Sequence, residues 1–240
     1  MRSLRRHAFF AIGPALAAVI AWSAAGSASA AAYAQMAPVT QYLAASPQTE
    51  IDLARSAAPV AISSHATVLV LTAHGYQTAQ NGTNGFTCLV ERGWTAQFDN
   101  PDFWNWKLRG PICYNPPASR SVLQYTLERT KLVLSGLTNP QILQRTTAAV
   151  AAKQLPPPEP GSMSYMMSKH GYLGDGVGPW HPHLMLYAPK TDGVNDGASW
   201  GADLHGSPVI LDTSYHVVPE PETIFMVTVS HWSDGSPAQH

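Results

Sequence analysis

The sequence has little charge of either sign. Lysine, arginine, aspartate and glutamate make up 12% of its 240 residues, which is about half of the usual ~25%. The 14 basic and 15 acidic residues nearly cancel, and the basic residues form no cluster after the first six positions. Nucleic acids and anionic membrane surfaces are both recognised by clustered lysine and arginine. We therefore expect no nucleic-acid partner and no binding to an anionic membrane surface.

The sequence also lacks an apolar run typical of a membrane-spanning helix. Its first apolar run, residues 8–22, is short and is interrupted by a glycine and a proline, whereas a spanning helix needs about 20 apolar residues. A basic stretch precedes this run, and small residues follow it up to Ala30. That order is typical of a secretory signal peptide over residues 1–30. We expect no integral membrane segment after cleavage, and a periplasmic or extracellular location.

Cysteine is almost absent. The two cysteines, Cys88 and Cys113, lie after the signal peptide, and an isolated pair in an oxidising compartment most simply forms one disulfide. Closing a loop of this length contributes about 3–4 kcal/mol through chain entropy. A reactive thiol is the alternative, but it leaves the second cysteine without a role.

Motifs for the common cofactors are missing too. There is no Walker phosphate loop, dinucleotide fingerprint, H-E-x-x-H, C-x-x-C or EF-hand loop, so we expect no integral cofactor. Residues 197–201 match the G-x-S-x-G pattern of serine hydrolases, but no strand is predicted before Ser199 and no helix after it. Ser199 is therefore not expected to be a nucleophile. These absences favour a protein without catalytic activity.

After the signal peptide, the chain is predicted to form one folded domain. Residues 31–47, rich in alanine, glutamine, serine and proline, predict a flexible leader, and residues 48–240 a single globular domain. Apolar and β-branched segments predict strands, and asparagine–glycine turns favour an antiparallel hairpin of the first two. Alternatively, Tyr76–Thr78 adds a short strand between them. The strands are predicted at residues 66–72, 86–91, 162–167, 183–188, 208–211 and 223–230.

Two helices are predicted between the second and third strands. The first has a capping box from Ser121 to Gln124 and ends at Gly136, and the second begins at Asn139, before a proline. The first helix has its apolar stripe at Leu123, Leu127, Thr130, Leu134 and Leu137, at helical spacing. Strands, then helices, then strands predict a loop-rich α+β fold. We expect an antiparallel or mixed sheet with both amphipathic helices on one face.

Three short motifs are distinctive: GTNGFTCLV at residues 82–90, PICY at 111–114 and HPHLMLYAP at 181–189. With them, the chain over residues 50–230 resembles a group of exported bacterial proteins. The resemblance implies bacterial origin and export. It implies no activity that can be assigned to any residue.

Two histidines one residue apart, His181 and His183, begin the fourth predicted strand. Such a pair on a strand can offer two imidazoles to one ion, because alternate side chains share a face. Asp203 and His205 repeat the spacing, and histidines with a carboxylate suit zinc. Alternatively, histidines beside glycine-rich loops only hydrogen-bond the backbone.

Tryptophans form the other candidate site. An indole flanked by short polar groups can stack on a ligand such as a sugar ring, although loop tryptophans can equally cover the edge of a core. The candidate ligand-binding residues are Trp180, His183, Tyr187 and Trp200. Tryptophans in predicted loops or at strand ends are Trp94, Trp104, Trp106, Trp180, Trp200 and Trp232.

The fourth strand is expected to place the site. His183, Met185 and Tyr187 share one of its faces, and Leu184 and Leu186 share the other. We expect the leucine face to pack against the two helices, because it has no polar member. The histidine face is then expected to lie toward the loops that carry Trp180, Trp200, Asp203 and His205.

Two functions remain open. The leading hypothesis is a non-catalytic protein that binds an unknown small or saccharide-like molecule, or a component of the cell envelope. The alternative is a metal-dependent hydrolase with zinc held by the histidine and aspartate cluster. A hydrolase needs its imidazoles to converge on one ion with an open position, whereas a binder needs aromatic faces in a groove.

Overall fold

The computed structural model describes residues 33–190, 197–211, 213 and 215–238, so the predicted signal peptide lies outside the described residues. The helices are α1 (Pro47–Arg55), α2 (Val60–Ser63), α3 (Pro116–Arg120), α4 (Leu123–Leu134) and α5 (Asn139–Ala151). The strands are β1 (Thr67–Thr72), β2 (Gly75–Gln80), β3 (Thr87–Glu91), β4 (Gly110–Tyr114), β5 (Met163–Met166), β6 (His183–Pro189), β7 (Val209–Leu211) and β8 (Glu222–Thr228). No described helix is long and apolar enough to span a membrane.

The eight strands form one mixed sheet in the order β2-β1-β3-β4-β5-β6-β8-β7, which confirms the predicted α+β fold. The predicted hairpin of the first two strands is wrong, because β1 and β3 are parallel. The antiparallel partner of β1 is β2, which turns back at Gly75, where φ is +107°. The chain then passes close to the start of β1, and a Cβ atom at Gly82 would lie 2.2 Å from the backbone nitrogen of Thr67.

The predicted disulfide is confirmed. Cys88 in β3 and Cys113 in β4 are directly paired across the two antiparallel strands, with their Cα atoms 4.0 Å apart. The irregular segment of residues 92–109 connects these strands. The disulfide therefore closes that connection at the sheet.

The ends of the two long helices agree with the prediction except at the start of α4. The predicted cap at Ser121 is wrong, because its hydroxyl donates to the carbonyl of Pro117 and Val122 occupies the N-cap of α4. Gly136 ends the helix region as predicted, with φ of +82°. A capping box instead precedes α5, where Gln141 Oε1 accepts from the backbone nitrogen of Thr138 at 2.9 Å.

The buried side of α4 is rotated from the predicted apolar stripe. Leu127 and Leu134 are only partly buried, whereas Thr130, which belongs to the stripe, and Arg129, which does not, are almost completely buried. These polar residues have buried partners: the Thr130 hydroxyl accepts from Trp94 Nε1 at 2.9 Å. The predicted stripe includes Thr130, but an apolar period does not reveal a buried arginine such as Arg129.

Each face of the sheet has its own cover. On one face, which we call the α1 face, residues of β1, β3 and β4 pack against α1. On the opposite face, the α4 face, Tyr114 and Tyr187 pack with residues of α3 and α4. The expectation for β6 is therefore wrong, since Met185 and Tyr187 face the helices and Leu186 packs on the α1 face beside Phe225.

Residues 33–47 do not form the expected flexible leader. Tyr33 and Tyr42 are buried, Tyr42 completely, and the Tyr42 hydroxyl donates to the carbonyl of Trp104 at 2.9 Å. Arg92 Nε donates in turn to the carbonyl of Tyr42 at 2.8 Å. Two tyrosines thus attach a segment of polar composition to the domain.

Candidate ligand-binding pocket

A cavity of about 720 Å³ lies between the α4 face of the sheet and helix α4. Its floor follows the strand alternation, because every second residue of a strand points to the same face. From β6 it receives His183, Met185 and Tyr187, and from β8 it receives Glu222, Ile224 and Met226.

Most of the remaining wall is apolar. Met166 of β5 extends the floor, and loop residues close the sides. Methionine side chains are flexible and polarisable, so a wall that contains several of them can follow the shape of different ligands. The other apolar residues at the wall include Ile210 and Leu211 of β7 and the loop residues Leu108, Leu173, Val177 and Val218.

One ion pair is built into the wall. Arg129 of α4 donates through Nε and one terminal nitrogen to the two carboxylate oxygens of Glu220, both at 2.6 Å. Its other terminal nitrogen donates to the carbonyls of Ala96 at 2.5 Å and Trp94 at 3.3 Å. The guanidinium also lies 4.3 Å from the ring centroid of Phe98. Both charges are almost completely buried, so Arg129 is committed to contacts within the protein.

Glu91, at the end of β3, is a buried carboxyl group with protein partners. It accepts from the Tyr114 hydroxyl at 2.6 Å and from the Thr126 hydroxyl at 2.9 Å. Burial raises the pKa of the Glu91 carboxyl above its ordinary value, and the two hydrogen bonds oppose that shift. The hydrogen bonds from Tyr114 and Thr126 therefore fix the position of the Glu91 carboxyl group.

Glu222, at the start of β8, differs from Glu91. Its Oε2 atom is buried and has no hydrogen-bond partner among the described residues. Burial raises the pKa of the Glu222 carboxyl well above its ordinary value, Glu220 adds to the rise, and Arg129 opposes it. A buried oxygen without a partner is costly, which makes Glu222 the polar group of the cavity that most needs a partner.

His183 is held as a neutral imidazole. Its Nδ1–H donates to the carbonyl of His181 at 2.7 Å, which leaves Nε2 as the acceptor. Burial lowers the pKa of His183 below its ordinary value. Trp180 packs edge-on to it, with the ring centroids 4.8 Å apart.

The structure brings three of the four predicted ligand-binding residues together. Trp180, His183 and Tyr187 line the cavity. Trp200 does not, because it stacks on Phe225 on the α1 face, with the ring centroids 4.3 Å apart. Phe225 and the cavity residue Ile224 are neighbours on β8 and therefore face opposite sides of the sheet.

The predicted metal ligands are not gathered into one cluster. Among the described residues, no group of three or more histidine, cysteine, aspartate or glutamate side chains could hold a metal ion. His183 is buried in the floor of the cavity, whereas His181 and His205 are exposed. Asp203 lines the cavity, and its Oδ1 accepts from the backbone nitrogen of Leu211 at 3.3 Å.

Three carboxyl groups of the cavity, those of Glu91, Glu220 and Glu222, were not predicted from the sequence. The alternation of Glu222, Ile224 and Met226 was a visible signal that this glutamate shares a face with two apolar residues. The pairing of Arg129 with Glu220 had no such signal, because 91 residues separate them. Of the predicted loop tryptophans, Trp94 is completely buried in the core.

Comparisons with protein-family models, with curated proteins and with solved structures find no match to this chain. The predicted resemblance to exported bacterial proteins therefore stays a prediction. The shape and chemistry of the cavity are the basis on which a function can be inferred.

Proposed function

We propose that this protein binds a small, largely apolar molecule in the cavity between the sheet and α4. The supporting observation is the cavity itself, because its volume of about 720 Å³ falls within the range of roughly 300–1,000 Å³ for ligand pockets. Its apolar walls with a few buried polar groups are also typical of such sites. The protein acts as a binder, and not as an enzyme.

An apolar ligand body fits this cavity better than a saccharide. A sugar ring presents hydroxyl groups on every side, and each needs a polar partner when it is buried. Most of the surface that lines the cavity is apolar, including that of Met185, Ile224 and Met226, and Trp180 is the only indole among the described residues that line it. We therefore replace the saccharide-like ligand of the sequence analysis by an apolar one.

The metal-dependent hydrolase has less support. Its four ligands, His181, His183, Asp203 and His205, do not form a metal-holding group in the described part of the chain. We propose further that the protein acts in the periplasm or outside the cell, which the disulfide and the predicted signal peptide support.

Nile red, an uncharged apolar dye, tests the proposed binding. We expect saturable binding of one dye molecule to the purified protein, with an increase in its fluorescence as it leaves water. Met185→Trp fills the cavity and should abolish binding, whereas Val60→Trp, at a position 75% exposed on α2, should bind as the wild type does. Circular dichroism checks that both variants are folded. Absence of saturable binding, or equal binding by both variants, contradicts the proposal.

A further inference from the structure

The cavity carries more carboxyl groups than cations. Glu91, Asp203, Glu220 and Glu222 line it, whereas the described lysine and arginine residues contribute only Arg92 and Arg129. This surplus of carboxyl groups is unusual for a wall that is otherwise apolar, because burying an unpaired carboxyl group is costly.

Both arginines are already paired within the protein. Arg92 donates to both carboxylate oxygens of Glu50, at 2.8 and 2.9 Å, and Arg129 donates to both oxygens of Glu220. All three nitrogens of each guanidinium group already donate to acceptors within the protein, so neither group is available to pair with a ligand carboxylate or phosphate. An anionic ligand would therefore meet carboxyl groups without a cation to balance it.

Among the described carboxyl groups of the cavity, only Glu222 has a buried oxygen without a partner. Asp203 accepts from the backbone nitrogen of Leu211. Glu91 has hydrogen bonds from Tyr114 and Thr126, and Glu220 has its arginine. Of the described buried side-chain atoms without a partner, only Oε2 of Glu222 belongs to a residue that lines this cavity. A ligand group that donates hydrogen bonds and carries positive charge would satisfy that oxygen and reduce the surplus.

We propose that the ligand is an amphiphilic amine, whose ammonium group is bound by Glu222 and whose apolar body lies along the methionine and isoleucine floor. This proposal rests on the proposed binding function and adds the chemical class of the ligand. The ammonium donates to Oε2 as a charge-assisted hydrogen bond, which is stronger than a neutral one. Aromatic rings of Tyr125, Tyr187 and Trp180 line the same cavity and attract cations through their faces.

Binding of an amine is coupled to loss of a proton. The protonated Glu222 carboxyl and the ammonium form a carboxylate–ammonium pair, and the carboxyl proton passes to solvent. The groups that act electrostatically on Glu222 are Glu220, Arg129 and Glu91, and Glu222 acts in turn on the phenols of Tyr125 and Tyr187. Burial lowers the pKa of His183 on the neighbouring strand and so favours its neutral form. Amine affinity should therefore rise with pH as the Glu222 carboxyl ionises.

Decylamine, decanol and decanoate test the proposal, because they share one chain and differ in the head group. Each is titrated against bound Nile red at pH 6 and pH 8. We expect decylamine to bind at least about tenfold more tightly than decanol at pH 8, as a hydrogen-bonded charge pair implies, and decanoate to bind most weakly. Glu222→Gln should remove the advantage of decylamine and its pH dependence, while decanol binds as before.

Glu128→Gln is the matched control, because it removes a carboxylate on α4 that does not line the cavity. It should keep the wild-type preference. If Glu222→Gln does not fold, the order of the three affinities and the pH dependence of decylamine binding to the wild type still test the proposal. Equal binding of the three compounds, or a preference for decanoate, overturns the amine proposal but leaves cavity binding intact. If the protein binds Nile red but none of the three compounds, the amine proposal is also overturned. If the protein does not bind Nile red, the proposed function itself is overturned.

Discussion

Among the residues that the structure describes, two arginine–glutamate pairs are buried, and their surroundings differ. Arg92 and Glu50 join β3 to α1, with both side chains almost completely buried, and the remaining donors of Arg92 bind backbone carbonyls. Arg129 and Glu220 join α4 to the segment before β8. Two residues further on, Glu222 adds a second carboxyl group whose Oε2 has no partner in the described part of the chain.

The difference between the two regions is that one is a structural ion pair and the other is part of the proposed ligand-binding site. At Arg92 and Glu50 the charges balance, so nothing further is needed to satisfy them. At Arg129 and Glu220 the charges balance as well, but Glu222 leaves one carboxyl group over at the wall of a large cavity. We infer that the first pair holds the fold together and that the second region is arranged for a bound molecule.

Removal of Glu50 should have the largest effect on stability. Glu50→Ala leaves the Arg92 guanidinium buried without its carboxylate, and breaking a buried pair in this way costs about 3–5 kcal/mol. Urea denaturation measures the free energy of unfolding. Glu159→Ala breaks the exposed pair with Arg120 and should cost less than about 1 kcal/mol. Equal losses for the two variants would show that the buried pair has no structural role.

The disulfide tests whether the two regions are independent. Replacing Cys88 and Cys113 together by alanine should lower the free energy of unfolding by about 3 kcal/mol, through the entropy of the unfolded chain. Nile red binding should be unchanged in the folded variant, because neither cysteine lines the cavity. A loss of binding at full folding would show that the cavity depends on the covalent link.

Glu222→Gln should have the smallest effect, and the opposite sign. Burial holds the pKa of Glu222 above its value in the unfolded chain, so the wild type loses stability as the pH rises from the unfolded pKa through the folded pKa. Glutamine does not titrate. The variant should therefore gain stability relative to the wild type as the pH rises above the unfolded pKa of a glutamate, about 4.3.

Urea denaturation at several pH values measures this difference. A variant that is less stable than the wild type at pH 8 would mean that the Glu222 carboxylate is a structural group. It would then resemble Glu50, and the contrast between the two regions would disappear.

The sequence predicts the elements of this fold better than their arrangement. Strands predicted at residues 162–167 and 183–188 are observed at Met163–Met166 and His183–Pro189, because short apolar segments between glycine-rich or proline-rich loops are local signals. The alternation of side chains along a strand divides β6 into two faces correctly. It does not say which face the helices cover, and Tyr187 and Leu186 are on the opposite sides from those expected.

The cavity shows the same limit. Three of its residues, Trp180, His183 and Tyr187, could be named from the sequence, since they lie close together in the chain. The ion pair of Arg129 and Glu220 depends on a contact across 91 residues, which no local pattern encodes. Residues 33–47 were misjudged because composition describes their polarity and not the burial of their tyrosines.

Proton release on amine binding tests the central claim most directly. Isothermal titration calorimetry of decylamine at pH 7, in two buffers with different ionisation enthalpies, gives the number of protons released per bound ligand. The account predicts proton release by the wild type and none by Glu222→Gln, because the carboxyl of Glu222 gives up its proton to pair with the ammonium. Decylamine binding with the same heat in both buffers would contradict the assignment of Glu222 as the group that recognises the ligand.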